Sequence, residues 1–210
     1  MNNLPAEGLL AGMKTADAIG WDSLEAVWQT AWALLARGVA DAKDPMRTGV
    51  FVTGGLFPNP RSVVLRKAEP SSALLTCYSD LRAQKVAEIE ASPRVAWHFW
   101  HPRRQAQLRL YGTASLHQGD ALAEEAWARL SAGSRRNYQA QLPPFSPVAS
   151  WEEGAEAYPQ PAPPDEGRSH FVLIRTRVEA LEALLLHPGG HRKAYFDCRS
   201  LPPQGQWRVP

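Results

Sequence analysis

The order of periodic segments constrains this chain more than any other feature. One helix-period stretch comes first, and a run of strand-length segments follows with only short helices between them. Leu24, Val27, Trp28, Ala31, Leu34 and Leu35 fall at helical spacing and predict a helix over 22–39, capped by Asp22 or Ser23. The segment "RTGVFVTGG" then reads as a strand ending in a Gly-Gly turn. "RSVVLRK" and "ALLTCYS" read as strands joined by the turn "AEPSS", so a hairpin is expected over 61–79. "DLRAQKVAEIEAS" reads as a short helix stopped by Pro93, and "RVAWHFW" as a strand. "AQLRLYGTASLHQ" sets Leu108, Leu110 and Ala114 against Gln107, Arg109 and Tyr111, the alternation of a half-buried strand. A helix over "GDALAEEAWARLSAG" follows, and "HFVLIRTRVEALEALLL", "HRKAYFDC" and "QWRVP" return to strands. A doubly wound parallel sheet would need strict alternation of strand and helix. This order predicts an antiparallel, mainly β, α+β chain closed into a barrel.

A chain of 210 residues with 44% hydrophobic content predicts one domain with a real core. Residues 1–20 are a candidate flexible arm. The Pro-rich stretch 141–168 reads as a long surface loop, of the kind that is often functional or sits at an interface. A net charge of +2 is too weak for a nucleic-acid binder, and no apolar run reaches the length of a membrane span. The N-terminus lacks the basic start and apolar run of a signal peptide. Cys77 and Cys198 form neither a disulfide framework nor a metal spacing, so a reduced, cytoplasmic protein is the simplest reading. Cys77 alternates into an apolar strand and reads as an inert buried thiol. Eight tryptophans suggest core packing, an aromatic interface or a platform for a flat ligand. Trp28 and Trp127 read as core, and Trp97 and Trp100 as facing opposite sides of their strand.

Cations gather over 61–85. Arg61, Val63 and Leu65 share one strand face, and Ser62, Val64 and Arg66 the other, so both arginines cannot clamp one small anion. Five residue steps span about 17 Å, the scale of an extended mononucleotide lying along the strand. Ser79, Arg82 and Lys85 then sit at the mouth and first turns of the next helix. Cations there oppose the helix dipole, a cost that an anion would answer. The plain alternatives are solvated surface charge and a Lys85–Glu88 pair. Glu88 and Glu90 point in different directions, make a poor acid/base pair, and read as solvated.

The set "RSVVLR…LTCYSDLRAQKVAEIEASPRVAWHFW…AQLRLYG" resembles the core of the pyridoxamine 5′-phosphate oxidase family, FMN-binding split-barrel proteins that are usually homodimers. The likeness is good over 61–112 and loose over 171–210. It implies an antiparallel split β-barrel with peripheral short helices, FMN as cofactor and a homodimer. Arg61, Ser62, Val63, Val64, Leu65 and Arg66 would run along the flavin and ribityl chain. Tyr78 and Ser79 would lie against the cofactor, Lys85 would hold its phosphate, and Gln107 would bond the ring edge. Gln84 stands where the family usually has Arg, implying weaker phosphate binding or a share taken by Arg82. Arg192 or Lys193 would be the last flavin contact. The family's substrate-phosphate pattern Tyr-x-x-x-Arg-x-x-x-Ser is replaced by Trp127, Ser131 and Arg135, and its late Arg-x-His is missing. The resemblance therefore implies an FMN-dependent oxidoreductase or oxidase acting on a different or unidentified small molecule.

Two rival readings share the fold. One is a flavin carrier or sensor without turnover, and a deazaflavin in place of FMN belongs beside it. The other is a haem-binding split barrel using His98 and His101, or His187 and His191, although a His in an aromatic strand is more often simply packed. Those pairs lack a third ligand for zinc. Neither Ser62 nor Ser79 has an evident His partner for nucleophilic catalysis.

Overall fold

The computed structural model describes residues 2–3, 20–157 and 165–210. Ten strands form one sheet: β1 (Asn2–Asn3), β2 (Thr48–Thr53), β3 (Asn59–Val64), β4 (Lys67–Glu69), β5 (Leu74–Asp80), β6 (Arg94–His101), β7 (Ala106–His117), β8 (Phe171–Leu185), β9 (Arg192–Asp197) and β10 (Gln204–Arg208). Helices α1 (Leu24–Ala40), α2 (Gln84–Ala91), α3 (Ala121–Ala128), α4 (Ala132–Arg135) and α5 (Trp151–Glu156) surround it.

Pairing runs β1–β10–β9–β8–β7–β6–β2–β3, with β5 joined to β8 and β4 to β5. Every pairing is antiparallel. Just beyond β3 the chain meets β5 again, where the Arg66 amide donates to the Thr76 carbonyl at 2.8 Å. The sheet thus curls on itself into the expected antiparallel split barrel. β8 explains the split. One of its edges pairs with β7 from Leu173 to Leu185. Its other edge takes β5 over Phe171–Arg177 and β9 over Ala180–Leu185. The hand-over falls at Val178–Glu179: the Val178 amide donates to Ala73 and the Glu179 carbonyl accepts from Cys198, both at 2.8 Å. A register shift between Tyr111 and Gly112 bends the β7–β8 pair at the same place.

Sequence pattern explains the elements. Ser23 caps α1 by accepting from the Ala26 amide at 3.1 Å, with Glu25 in the first turn and Arg37 in the last. The periodic positions Val27, Trp28, Ala31, Leu34 and Leu35 are buried in one core with Phe51, Trp97, Phe99 and Phe196. Trp28 meets Trp32 and Phe196 at ring-centroid distances of 5.5 and 5.4 Å. Trp97 is buried and Trp100 faces outward, half-buried, as their spacing requires. A second, smaller cluster packs Trp127 of α3 and Tyr138 against Phe171 and Leu173 of β8.

Two expectations change. The hairpin is not 61–79: β4 pairs with β5, whereas β3 pairs with β2. The chain crosses from one partner to the other at Leu65–Arg66, which periodicity alone cannot reveal. The Pro-rich segment 141–168 carries a helix, α5, capped by Ser150 and acidic in its first turn. The expected arm over 1–20 lies almost wholly outside the described residues, as does 158–164 within the Pro-rich segment.

Gly112 is fixed by the bend. A Cβ there would sit 1.9 Å from the Arg177 carbonyl oxygen, whereas one on Gly133 would meet nothing within 4 Å. Gly112→Ala is expected to lower stability by at least about 3 kcal/mol in denaturant titration. Gly133→Ala is expected to be neutral or slightly stabilising. A Gly112→Ala protein as stable as the parent would refute the tight β7–β8 crossing.

Candidate functional site

The cations of 61–85 converge where β3, β5 and α2 meet. Alternation on β3 is as the strand period demands: Val63 and Leu65 are buried, Arg61 is half-buried beside them, and Ser62 is exposed on the other side. Val64 and Arg66 are half-buried on that second side. The Arg66 guanidinium lies 5.4 Å from the centre of the Tyr78 ring, a cation–π contact. Tyr78 in turn meets the edge of Phe171 at 5.1 Å. Burial pushes the Tyr78 phenol up despite Arg66, and pushes Tyr138 up to about 12, so both stay neutral.

Lys85 stands in the first turn of α2 and donates to the Ser79 hydroxyl at 3.0 Å. Burial, then the charge of Arg61, hold its pKa below the ordinary lysine value. Among the described residues, neither Arg66 nor Lys85 is in an ion pair. Gln84 opens α2 and is exposed.

Other cations are engaged, against expectation. Arg82 lies ahead of α2 rather than within it. It grips Asp80 at 2.7 and 3.0 Å and donates to the carbonyls of Ala140 and Gln141, so it fastens the Pro-rich segment to the end of β5. Arg61 pairs with Glu88 at 2.9 Å. Glu88 is therefore not solvated: its side chain is 10% exposed and also accepts from Thr53 and from Asn59. Burial raises the Glu88 pKa, but the hydrogen bonds from Thr53, Asn59 and Arg61 outweigh it and hold the carboxyl below its usual value. The alternative Lys85–Glu88 pair does not form. Sequence reading missed this because Thr53, Asn59 and Glu88 reach Arg61 only through the β2–β3 turn and the seating of α2.

Gln107 and Arg192 lie elsewhere. Gln107 faces Leu184 of β8 and Arg192 faces Leu185, while Tyr78 faces Leu173. Leu173 and Leu184 are eleven residues apart on β8, about 36 Å of strand path. One copy of the chain does not bring the two groups together. Gln107 shares a hydrogen bond of 3.2 Å with His98. Arg192 pairs with Asp22, and Lys193 with Glu182 at 3.3 Å. Arg192 and Lys193 line an open cleft of about 430 Å³ with Trp21, Asp22, His191, Trp207 and Arg208.

The remaining candidates fare as follows. Among the described residues, no three His, Cys, Asp or Glu side chains cluster to hold a metal. His191 Nδ1 accepts from the His187 amide in a turn, and His101 Nδ1 accepts from the Arg104 amide. Both cysteines are buried, and burial pushes each thiol up to about 12. No described helix is long and apolar enough to cross a membrane.

Residues 33–118 match the family model described as pyridoxamine 5′-phosphate oxidase, FMN-binding domain. The architecture agrees. The chain folds as a split barrel, and over residues 33–118 it is similar to this family. The matched segment of this split barrel holds Arg61, Arg66, Tyr78, Lys85 and Gln107, and stops short of Arg192. A Nostoc punctiforme protein described as a pyridoxamine 5′-phosphate oxidase-related, FMN binding protein superposes with a TM-score of 0.71 at 18% identity, over 87% of this chain and 97% of that one. PhzG from Burkholderia lata, solved with tetrahydrophenazine-1-carboxylic acid, superposes with a TM-score of 0.66 at 15% identity, over 84% of this chain and 91% of its own. At such identities the likeness is one of fold. No curated protein matches the sequence.

The burial of Lys85 has a measurable sign. Its folded-state pKa is depressed, so the folded chain holds this proton less tightly than the unfolded chain. The penalty is fully present at neutral pH and is relieved as pH rises through the folded pKa toward 10.5. Lys85→Met is therefore expected to raise the melting temperature of the ligand-free protein at pH 7, on the order of 2 °C, with the gain shrinking at high pH. A fall in melting temperature would mean that Lys85 supports the apo fold.

Proposed function

We propose that this protein is an FMN-dependent oxidoreductase acting on a small molecule other than a vitamin B6 phosphate. The observation that carries this reading is the site itself. Among the described residues, Arg66 and Lys85 are cations outside any ion pair beside the neutral Tyr78, and all three lie in the segment that matches the FMN-binding family model. A half-buried ammonium with a depressed pKa is unfavourable in the ligand-free chain, and a phosphate would offset that. The donor set therefore fits a flavin mononucleotide. Lys85 and Ser79 would hold the phosphate, and the backbone from Arg61 to Arg66, with Ser62, Val63, Val64 and Leu65 between, would run along the ribityl chain. Arg66 and Tyr78 would stand beside the ring, and exposed Gln84 would add little.

Bound FMN would supply hydride or electron transfer at its ring. The chain's own residues position, charge and shield that ring. Arg66 would place a positive charge beside the ring. Tyr78, Phe171, Trp127 and Tyr138 form an apolar wall that excludes water.

A homodimer completes the arrangement. Gln107 and Arg192 are separated from Tyr78 along β8, so if they also touch flavin they come from a second copy. The half-buried outward row His98, Trp100, Tyr111 and Tyr195 gives that copy an aromatic surface to cover. Loss of the B6 phosphate grip is supported by what replaces it. Ser131 caps α4, and Arg135 lies 5.3 Å over Trp127 while donating to the carbonyls of Trp127 and Ala128. Both side chains have structural work to do.

Purified protein is expected to carry yellow flavin, identified as FMN by mass spectrometry of the released ligand, or to take up added FMN. Lys85→Ala should weaken FMN binding by about tenfold or more, and Arg94→Ala by less than about twofold. No uptake by the parent, or equal effects of the two variants, would defeat the assignment. Light scattering should show a dimer, and a fully loaded monomer would remove the second copy from the site. NAD(P)H-driven reduction with oxygen uptake is expected of the enzyme, whereas flavin inert to every donor would make the protein a carrier.

A further inference from the structure

The Arg61 network stands out because it is complete without a ligand. Thr53 of β2, Asn59 and Arg61 of β3, and Glu88 of α2 close on one another. The Arg61 and Glu88 side chains are only 19% and 10% exposed. Both Glu88 oxygens are occupied, one by Arg61 at 2.9 Å and Thr53, the other by Asn59 at 2.8 Å. Lys85 lies one turn earlier on the same helix, close enough to feel the charges of both Arg61 and Glu88. Of the three cations Arg61, Arg66 and Lys85, one is thus already neutralised from within the chain.

We propose that Glu88 is a resident counter-anion on Arg61, and that it sets how strongly this site distinguishes a flavin bearing a phosphomonoester from the same flavin without one. The proposal rests on the FMN reading and deepens it. A phosphate dianion approaching Lys85 meets the Glu88 carboxylate as a like charge, and finds Arg61 already bonded. The pair is largely out of water, so salt screens it little. An uncharged ribityl terminus pays no such penalty. The same carboxylate keeps the ligand-free protein stable, because Arg61 without it would be a largely buried charge with only the Thr53 hydroxyl and no counter-charge. Glu88 therefore trades phosphate affinity for stability of the empty site. Removing its charge should leave Arg61 free to take phosphate in its place.

The test uses the full chain in flavin-fluorescence titrations with FMN and with riboflavin. Glu88→Gln keeps the shape and the Thr53 and Asn59 neighbours. It is expected to bind FMN about tenfold tighter than the parent and riboflavin within about twofold, while its ligand-free melting temperature falls and FMN restores it. FMN binding that is unchanged or weaker overturns the proposal. Arg61→Gln/Glu88→Gln removes both charges and leaves no buried ion to unfold the chain. Its FMN affinity should stay within about threefold of the parent, since Arg61 is neutralised there to begin with. A loss beyond about tenfold would show that Arg61 grips phosphate regardless of Glu88, and overturns the proposal. Failure of all three proteins to bind either flavin overturns this inference together with the FMN reading. Equal FMN binding by all three overturns the role of Glu88 alone.

Discussion

The structure depends on how β8 shares its edges. One edge is committed to β7 along nearly its whole length, and the other is divided between β5 and β9 at Val178–Glu179. From that division follow the curl of the sheet, the need for a bare backbone at Gly112, and the separation of two groups of polar side chains. Tyr78, Ser79 and Lys85 belong to the β5 half. Gln107 and Arg192 belong to the β9 half. A sheet with undivided edges would have no such two-ended layout.

Electrostatics sort the cations more sharply than their positions do. Asp80 and Glu88 each claim one arginine, and in doing so turn Arg82 into a fastener for residues 140–141 and Arg61 into half of a closed network. Arg66 keeps an aromatic face, and Lys85 a hydroxyl. Lys67, the fifth cation between 61 and 85, pairs with Glu69, so the positive character of the site comes from Arg66 and Lys85.

Period and punctuation made most of the fold legible. α1 ends within a few residues of the expected bounds because its apolar spacing, its Ser23 cap and Arg37 all agree. β6 and β7 were readable from alternation, which sets Leu108 and Leu110 on the inward side and puts Trp97 and Trp100 on opposite faces, Trp97 proving the buried one. The hairpin over 61–79 misled because "RSVVLRK" is one apolar run that serves two partners, β2 first and β5 afterwards. α5 escaped notice because six residues among many prolines leave no period to detect, only a Ser150 cap with two acids behind it. In the site, the strand period correctly put Arg61 and Arg66 on opposite faces. What one strand cannot encode is which distant side chain arrives beside it. The Arg61–Glu88 pair, and the distance from Tyr78 to Gln107, are set by how elements close upon one another.

The two strands that divide β8 each bring one shielded sulfur: Cys77 within β5, and Cys198 at the end of β9. Neither thiol ionises readily, and neither is open to solvent. An alkylating reagent meets the first only when the β5 flank lifts away, and the second only when the β9 flank does. The native molecule thus carries a separate chemical clock for each seam of its barrel, without any engineered label.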